Sequence, residues 1–520
     1  METTHAALLL LAPAAAHLLA ALHGCARRDE SIAAVRRAAR LTHVVAIAAA
    51  VAALGHQLIL GAASSPLLGA AGIGLSARLD PLSVALVLLV SIVGAVVLGY
   101  ARRYLDGDPD QRRFHIHVHG TLAAVLAMVA AGNLVQLLLA WIATSLVLHR
   151  LLLFRPARPG AQRAARKKFV VARTGDMLLA SAVGALIIAF GTTDIAELGR
   201  AARAVAAGDA LPSLVPLAVG CMALAALLKS AAFPSHGWLL DVMETPTPVS
   251  ALLHAGVVNA GGFLLLRFTD LLLLEPGIMA GIAAAGGLTA VVGVAAMLTQ
   301  PAIKLSLAWS TVAQMGFMML QIGVGAFAAA LVHLVAHSLY KSHAFLASGG
   351  AVEAAASGWR MPVEAAPSFG AVAGACLTIV TLAALSLGLA TAFGATPAIS
   401  GLAVILALGT WLVLTDRAPL GARLVVTGGV LALWLSVHAG GAAWAGEALT
   451  APATTHPATI AALAATALLL GALTLLQNLG VPAGARWQRL RVHLAAGLYA
   501  SALLDRLVGA RRHRGPRQHA

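Results

Sequence analysis

Charge is what this sequence has least of. Only 11% of its 520 residues are Asp, Glu, Lys or Arg, and 20 are acidic. The longest hydrophilic stretches are 101–115, 153–168 and the last 35 residues, and no large soluble domain is expected. Cysteine is scarce as well. Cys25, Cys221 and Cys376 lie far apart in or beside apolar runs, with the spacing of neither metal ligands nor a disulfide framework. There is no phosphate loop, nucleophile elbow or paired-carboxylate site, so bond-breaking catalysis finds no candidate machinery. The stretch "LHGC" ending at Cys25 has no basic region before its apolar run, and that run is expected to be a retained helix rather than a cleaved leader.

Apolar residues fill the space that charge leaves. The chain is 60% hydrophobic with a mean hydropathy of +0.88. Runs of about 20 apolar residues recur, each long enough to cross a hydrocarbon core of roughly 30 Å as a helix. Helices satisfy their own backbone hydrogen bonds, so the fold class expected is an all-α polytopic membrane protein. The spans fall near 6–24, 41–63, 80–100, 116–132, 133–152, 167–191, 211–245, 249–268, 278–299, 302–323, 325–349, 368–393, 398–415, 421–440 and 456–479. The long run 211–245 is expected to be broken.

The net charge of +15 is distributed by loop. Alternate connections are basic: Arg27, Arg28, Arg36, Arg37 and Arg40 in the first, Arg102, Arg103, Arg112 and Arg113 in the third. Arg150, Arg155, Arg158, Arg163, Arg166, Lys167 and Lys168 fill the fifth, and further arginines the tail. The intervening loops carry little beyond Arg78, Arg200 and Arg203. The positive-inside rule then predicts an outside N-terminus and a cytoplasmic C-terminus, in agreement with an odd number of spans. The basic charge reads as topological, and no nucleic-acid partner is expected.

Five lysines are present. Lys167 and Lys168 flank a span and read as interfacial anchors, whereas Lys229, Lys304 and Lys341 fall in or at the edge of apolar helices. A lysine near mid-membrane costs about 2.5–3.5 kcal/mol, which makes each a functional candidate unless it snorkels to an interface. Snorkelling is a real alternative for Lys304, beside Gln300 and Pro301 at a helix start. Pro234 follows Lys229 by five residues, cannot donate its backbone N–H and crowds the preceding turn. The helix should break there, leaving free carbonyls beside a protonatable amine, an arrangement suited to moving a cation.

In "ALVHLVAHSLYKSHAF", His333, His337 and Lys341 are spaced i, i+4, i+8 and share one helix face over about 12 Å. Such a stripe can pass protons, although packing, or a metal held by His333 and His337, would use the same spacing. Arg173 and Asp176 are i, i+3 and should pair, for structure or for transport. Glu244 precedes a turn shaped by Pro246 and Pro248, and His254 enters the next helix. Together with Lys229 they form a polar chain at a helix break, and the residues alone point to a cation-conducting membrane subunit.

These same residues carry a family resemblance. "LLKSAAFPSHGWLLDVMETPTPVSALLHAGVVNAGGFLLLR" (227–267) resembles the signature of antiporter-like subunits of respiratory NADH–quinone oxidoreductases and multisubunit cation/proton antiporters. "PAIKLSLAWSTVAQMGFM" (301–318), "HLVAHSLYKSHAFLASG" (333–349) and "KKFVVARTGD" (167–176) match further blocks. The resemblance implies about 13–15 transmembrane helices, inverted five-helix repeats with broken helices, and a proton path through Lys229. Lys304, His254, His333, His337 and Lys341 would lie on the same hydrophilic axis. The implied division is N-terminal helices over 1–100 and a first repeat over 101–268, broken near 229–237. A second repeat over 269–415, C-terminal helices over 416–480 and a basic tail with an amphipathic helix over 481–520 follow.

Two departures select a branch. Proton-pumping members carry a glutamate just after the tryptophan of span five, where this chain has Ile142. The second repeat's broken helix should hold an ionisable residue, yet 368–415 has no Asp, Glu, Lys, Arg or His. "TSLVLHRLLLF", "ARKKFVVAR" and the late "RVHLAAGLYASALLDR" instead resemble the membrane subunit of DAB-type inorganic-carbon accumulation complexes. That resemblance implies a large zinc-containing cytoplasmic partner related to β-carbonic anhydrases, with cation flow, the proton favoured over Na⁺, driving one-way hydration of CO2 to bicarbonate. It implies no catalysis, metal or cofactor in this chain, zinc being held by the partner, and a bacterial inner-membrane location. The alternatives are a subunit of a respiratory or antiporter complex and a structural scaffold. The tail helix would dock the partner or lie on anionic lipid.

Overall fold

A computed structural model of the chain describes residues 5–27, 31–349, 397–414, 420–445, 455–478 and 485–507, with the isolated positions 381, 384 and 388. The expected span 368–393 and Cys376 lie outside the continuous described segments.

Long helices dominate: α1 (Ala12–Ala26), α2 (Ile32–Leu60), α3 (Pro81–Tyr104), α4 (Gln111–Val129), α5 (Leu134–Leu152), α6 (Pro159–Phe190) and α7 (Ile195–Ala206). The chain continues through α8 (Val215–Lys229), α9 (Gly237–Asp241), α10 (Thr247–Ala255), α11 (Ala260–Arg267), α12 (Thr269–Leu272), α13 (Pro276–Met297), α14 (Ile303–Val324) and α15 (Phe327–Ala347). Beyond these come α16 (Pro397–Leu414), α17 (Leu420–Ala445), α18 (Pro457–Asn478), α19 (Ala485–Ala495) and α20 (Ala500–Leu507). Nine helical stretches among the described residues are long and apolar enough to cross a membrane. The other spans expected at 116–132 and 325–349 are also single helices, α4 and α15, whose histidines and charges make them less apolar. The run at 211–245 is broken as anticipated.

Local chemistry places the helix ends. Asp80, Asn133 and Asp194 cap α3, α5 and α7 by accepting from the backbone N–H of Ser83, Gln136 and Glu197, each at 2.8 Å. Pro81, Pro159 and Pro276 sit at first helical positions, where a missing N–H costs nothing. Gly191 and Gly325 end α6 and α14 in the left-handed conformation. Small residues set the packing, as expected where apolar burial does not distinguish helix from lipid. A Cβ on Gly286 or Gly316 would lie 2.4 Å from a backbone nitrogen of the facing helix, so α13 and α14 touch backbone to backbone.

Polar loops sort to two ends of the bundle. At one, two short antiparallel pairs (Ala63–Ser64 with Arg78–Leu79, Leu68–Ala70 with Ile73–Leu75) close over the starts of α3 and α5. At the other, Arg36 pairs with Asp106 at 2.5 Å, and Arg155 with Asp108 and Asp110. The basic loops recognised in the sequence meet at this second end.

Candidate functional site

The break after α8 builds the first half of the site. The helix stops at Lys229, Ala231 takes a left-handed φ of 52°, the Phe233–Pro234 bond is cis, and the chain resumes as α9. The Trp238 indole returns to donate to the Leu228 carbonyl at 3.3 Å, and the Phe233 N–H donates to Thr289 Oγ1 at 3.1 Å. These bonds satisfy groups that the break would otherwise strand.

Lys229 is buried, and its Nζ has no hydrogen-bond partner among the described residues. It lies 4.4 Å from the centre of the Trp141 ring of α5. Around it α6 presents three charges: Arg173 and Asp176 pair at 2.5 Å, Arg173 also reaches Ser145 Oγ at 3.1 Å, and Lys168 donates to Ser145 Oγ at 2.9 Å and to the Ser145 carbonyl. Asp176 lies on α6, which packs along α8, the helix that ends at Lys229. A cavity of about 20 Å³ opens between Trp141, Lys168, Lys229, Trp238 and Val257, enough for a water molecule. The arrangement can hold a proton on an amine, with the Asp176 carboxylate on the adjacent helix α6.

Gly256 interrupts the next helix between α10 and α11, with a 3₁₀ turn over Val257–Asn259. Two more cavities, of about 30 and 20 Å³, lie along this interruption, and Val257 lines all three. Asn259 and Ser338 face the larger one, joined by an Asn259 Nδ2 donation to Ser338 Oγ at 2.8 Å.

The second half is strung on α10, α14 and α15. His333 Nδ1 lies 2.8 Å from Gln321 Oε1, and His337 Nδ1 lies 2.6 Å from Gln314 Oε1. His337 Nε2 also faces the His254 carbonyl at 3.2 Å. A neutral imidazole donates one proton, so both acceptors are satisfied only if the Gln314 amide turns its NH2 to the ring or the ring takes a second proton. His254 Nδ1 meets Thr311 Oγ1 at 3.0 Å and its ring stacks on Phe345. Lys341, fully buried, donates to the Leu307 carbonyl at 3.2 Å and to Ser310 Oγ. Lys304 is half-buried and donates to Thr247 Oγ1 at 3.0 Å, tying the start of α14 to the start of α10.

The structure thus gathers Arg173, Asp176 and Lys229 in one group and His254, His333, His337 and Lys341 in another, with the broken α10–α11 pair between them. Glu244 lies apart from both. It is exposed, its carboxyl packed against Gly160 at the start of α6. Pro234 lies in the break, Pro246 precedes α10, and Pro248 stands in its first turn. Lys167 and Lys168 are not interfacial anchors: both are buried, with partners on other segments.

Two polar groups escaped the sequence reading. Arg267, fully buried, pairs with Asp80 at 2.5 Å and donates to Ser83 Oγ at 2.5 Å, while Arg78 reaches the same carboxylate at 2.8 Å. Burial pushes the Asp80 carboxyl up, but Arg267 and Arg78 hold it down at about 2. In the second group His17, His43, His115 and His119 converge from α1, α2 and α4, with His17 and His119 sharing one proton between their Nδ1 atoms at 2.8 Å. The run "HIHVH" at 115–119 was the visible signal for it.

Residues 131–415 match the model of the NADH:quinone oxidoreductase/Mrp antiporter transmembrane family, and residues 68–115 match that of the NADH–ubiquinone oxidoreductase (complex I) chain 5 N-terminus. The chain is 46% identical over 297 residues (56% of this chain, 53% of the relative) to the probable inorganic carbon transporter subunit DabB2 of Halothiobacillus neapolitanus. It is 37% identical over 275 residues (52% and 37%) to the chloroplastic NAD(P)H-quinone oxidoreductase subunit 5 of Zea mays. The chain thus spans about half the length, or less, of the curated relatives it matches. Among solved structures, the Mrp complex of a Dietzia species superposes with a TM-score of 0.57 at 24% identity, covering 99% of this chain and 57% of that one. The archaeal membrane-bound sulfane sulfur reductase gives 0.59 at 18% identity, covering 97% and 99%. Both share the fold. The chain is a multi-pass membrane protein and belongs to the NADH:quinone oxidoreductase/Mrp antiporter transmembrane family.

Proposed function

We propose that this chain is the cation-conducting membrane subunit of an inorganic-carbon transporter, with the proton as the favoured ion. The observation that carries the reading is Lys229: a buried amine without a hydrogen-bond partner among the described residues, beside a helix break, with Asp176 on the packed helix α6 and a water-sized cavity alongside. The Lys229 amine offers one proton-binding group at the break, and the Asp176 carboxylate on the packed helix α6 offers a second. From there the route runs past Val257 and Gly256 to His254, His337, Lys341 and His333, with Lys304 at its edge. Cations enter from outside and leave toward the cytoplasm, in a bacterial inner membrane with the basic loops inside.

The similarity to curated inorganic-carbon transporter subunits supports the choice of process. In this reading a large cytoplasmic partner related to β-carbonic anhydrases holds the zinc and hydrates CO2, and ion flow through this chain makes that hydration one-way. The similarity to quinone oxidoreductase subunits favours a second reading, a proton-translocating subunit of a respiratory or antiporter complex. Affinity purification of the tagged chain from its native membrane in mild detergent separates the two. One zinc-bearing cytoplasmic protein in stoichiometric yield is the expected companion. A set of other membrane subunits would overturn the carbon-transport reading.

A further inference from the structure

Lys167 has the least to do in the transport route and the most unusual surroundings. Its side chain is 1% exposed, and its partners lie on two distant segments. Nζ pairs with Asp241 Oδ2 at 2.6 Å and Asp505 Oδ1 at 2.7 Å, and donates to Ser501 Oγ at 3.0 Å. Asp241 ends α9, the short helix after the break; Asp505 and Ser501 belong to α20, near the end of the chain.

The rest of the C-terminal segment is seated as closely. Ser501 fills the space over Gly237, where a Cβ would fall 2.6 Å from its Oγ. Gly497, at φ 60°, leaves no room for a Cβ against the Trp309 ring, and His236 lies on the same side. The His236 and Trp309 rings are in contact, with centroids 4.8 Å apart. Leu498 and Tyr499 continue the left-handed turn with φ of 54° and 58°, a conformation that side chains keep only where the surroundings impose it. Gln300 Nε2 donates to the Ala495 carbonyl at 3.1 Å, pinning the end of α19. One short segment therefore grips α6, α9, α14 and the connection before α14. On α6 the next residue, Lys168, faces Ser145 and the Lys229 cavity.

We propose that Lys167 and Asp505 are positioning residues for the ion path: the segment 485–507 clamps α9 against α6 and so holds the walls of the Lys229 cavity in register. The inference rests on the reading of the Lys229 break as that path. The expected tail helix is here, but one of its faces is spent on the chain itself. Lys167 ties two carboxylates together: without it Asp241 and Asp505 would face each other uncompensated, and without Asp505 it would hold Asp241 alone and lose its ion pair to α20. The ion pair acts as a catch that gives way as a unit.

The test uses the full chain, in a background without its native cysteines, with Ala500→Cys as a reporter. Ala500, the first residue of α20 within the clamp, is buried. In the parent, maleimide labelling of that cysteine is expected to be slow. Asp505→Asn and Lys167→Gln should each speed it about tenfold, the double variant no further, and Lys167→Arg should stay near the parent. In proteoliposomes the same two single variants should lose about tenfold of the Lys229-dependent cation flux, with Lys167→Arg retaining most of it. Unchanged labelling in Asp505→Asn overturns the clamp. Faster labelling with undiminished flux overturns the positioning role while leaving the path intact. A parent that is protected from label but carries no Lys229-dependent flux overturns the path itself, and the positioning role with it.

Discussion

The Lys229 ammonium sits 4.4 Å from the centre of the Trp141 ring, while Ile142, next along α5, supplies no carboxylate. Asp176 stands on the neighbouring helix α6, which packs along the helix that ends at Lys229. We propose that Asp176, held by Arg173 at 2.5 Å, supplies from α6 the counter-charge that the family resemblance implies on α5. Asp176→Asn should lower Lys229-dependent flux at least about tenfold, a rise of roughly 1.4 kcal/mol or more in the barrier. Asp176→Glu should lose less. Flux assays on reconstituted protein would decide it, and equal flux in Asp176→Asn and the parent would remove Asp176 from the route.

The buried Asp80–Arg267 pair makes a stability prediction. Asp80→Ala leaves Arg267 as an uncompensated charge in the interior and should cost about 3–5 kcal/mol. Thermal unfolding in detergent would show it as a large drop in Tm, whereas Arg203→Ala, which breaks a largely exposed pair with Asp270, should change little.

The same carboxylate sets a pH window. Its pKa of about 2 in the folded chain lies below the ordinary 3.8, so the unfolded state binds the proton more readily. The contribution of Asp80 is complete above about pH 4 and is lost as pH falls through about 2. Unfolding followed from pH 5 to pH 2 should steepen in the parent over that interval. Asp80→Asn, already deprived of the charge, should show a flatter profile.

His17 and His119 predict a non-additive pair. Their shared proton leaves each ring dependent on the other in a buried site. His119→Leu alone strands the facing His17 nitrogen, at a cost of about 1–3 kcal/mol. His17→Leu with His119→Leu should cost less than the sum of the singles, because neither nitrogen of the pair then remains to be stranded. A double-mutant cycle in thermal stability measures the coupling; strict additivity would deny it.

Much of the helical plan was legible because its signals are local. Pro234 beside Lys229 marked the break, and the 3.6-residue period placed His333, His337 and Lys341 on one face. What stayed hidden depends on which helices meet. Lys167 and Lys168 look like anchors at the end of an apolar run until Asp505 and Ser501, more than 330 residues away, are seen to close over Lys167. Asp80 and Arg267 are likewise partners across 187 positions. Glu244 seemed to belong with Lys229 by nearness in sequence, but a 3₁₀ turn carries it to the surface at Gly160. Hydropathy could not separate a lysine that snorkels from one sealed by acids, since both occupy the same kind of sequence.

The measurement closest to the central claim is proton uptake by proteoliposomes containing the parent chain or Lys229→Ala, under an imposed pH gradient and matched for protein content. Lys229→Ala should insert and fold as the parent does yet lose at least about tenfold of the flux, since the break would no longer hold a protonatable amine beside Asp176. Parent-level flux through Lys229→Ala would contradict the account.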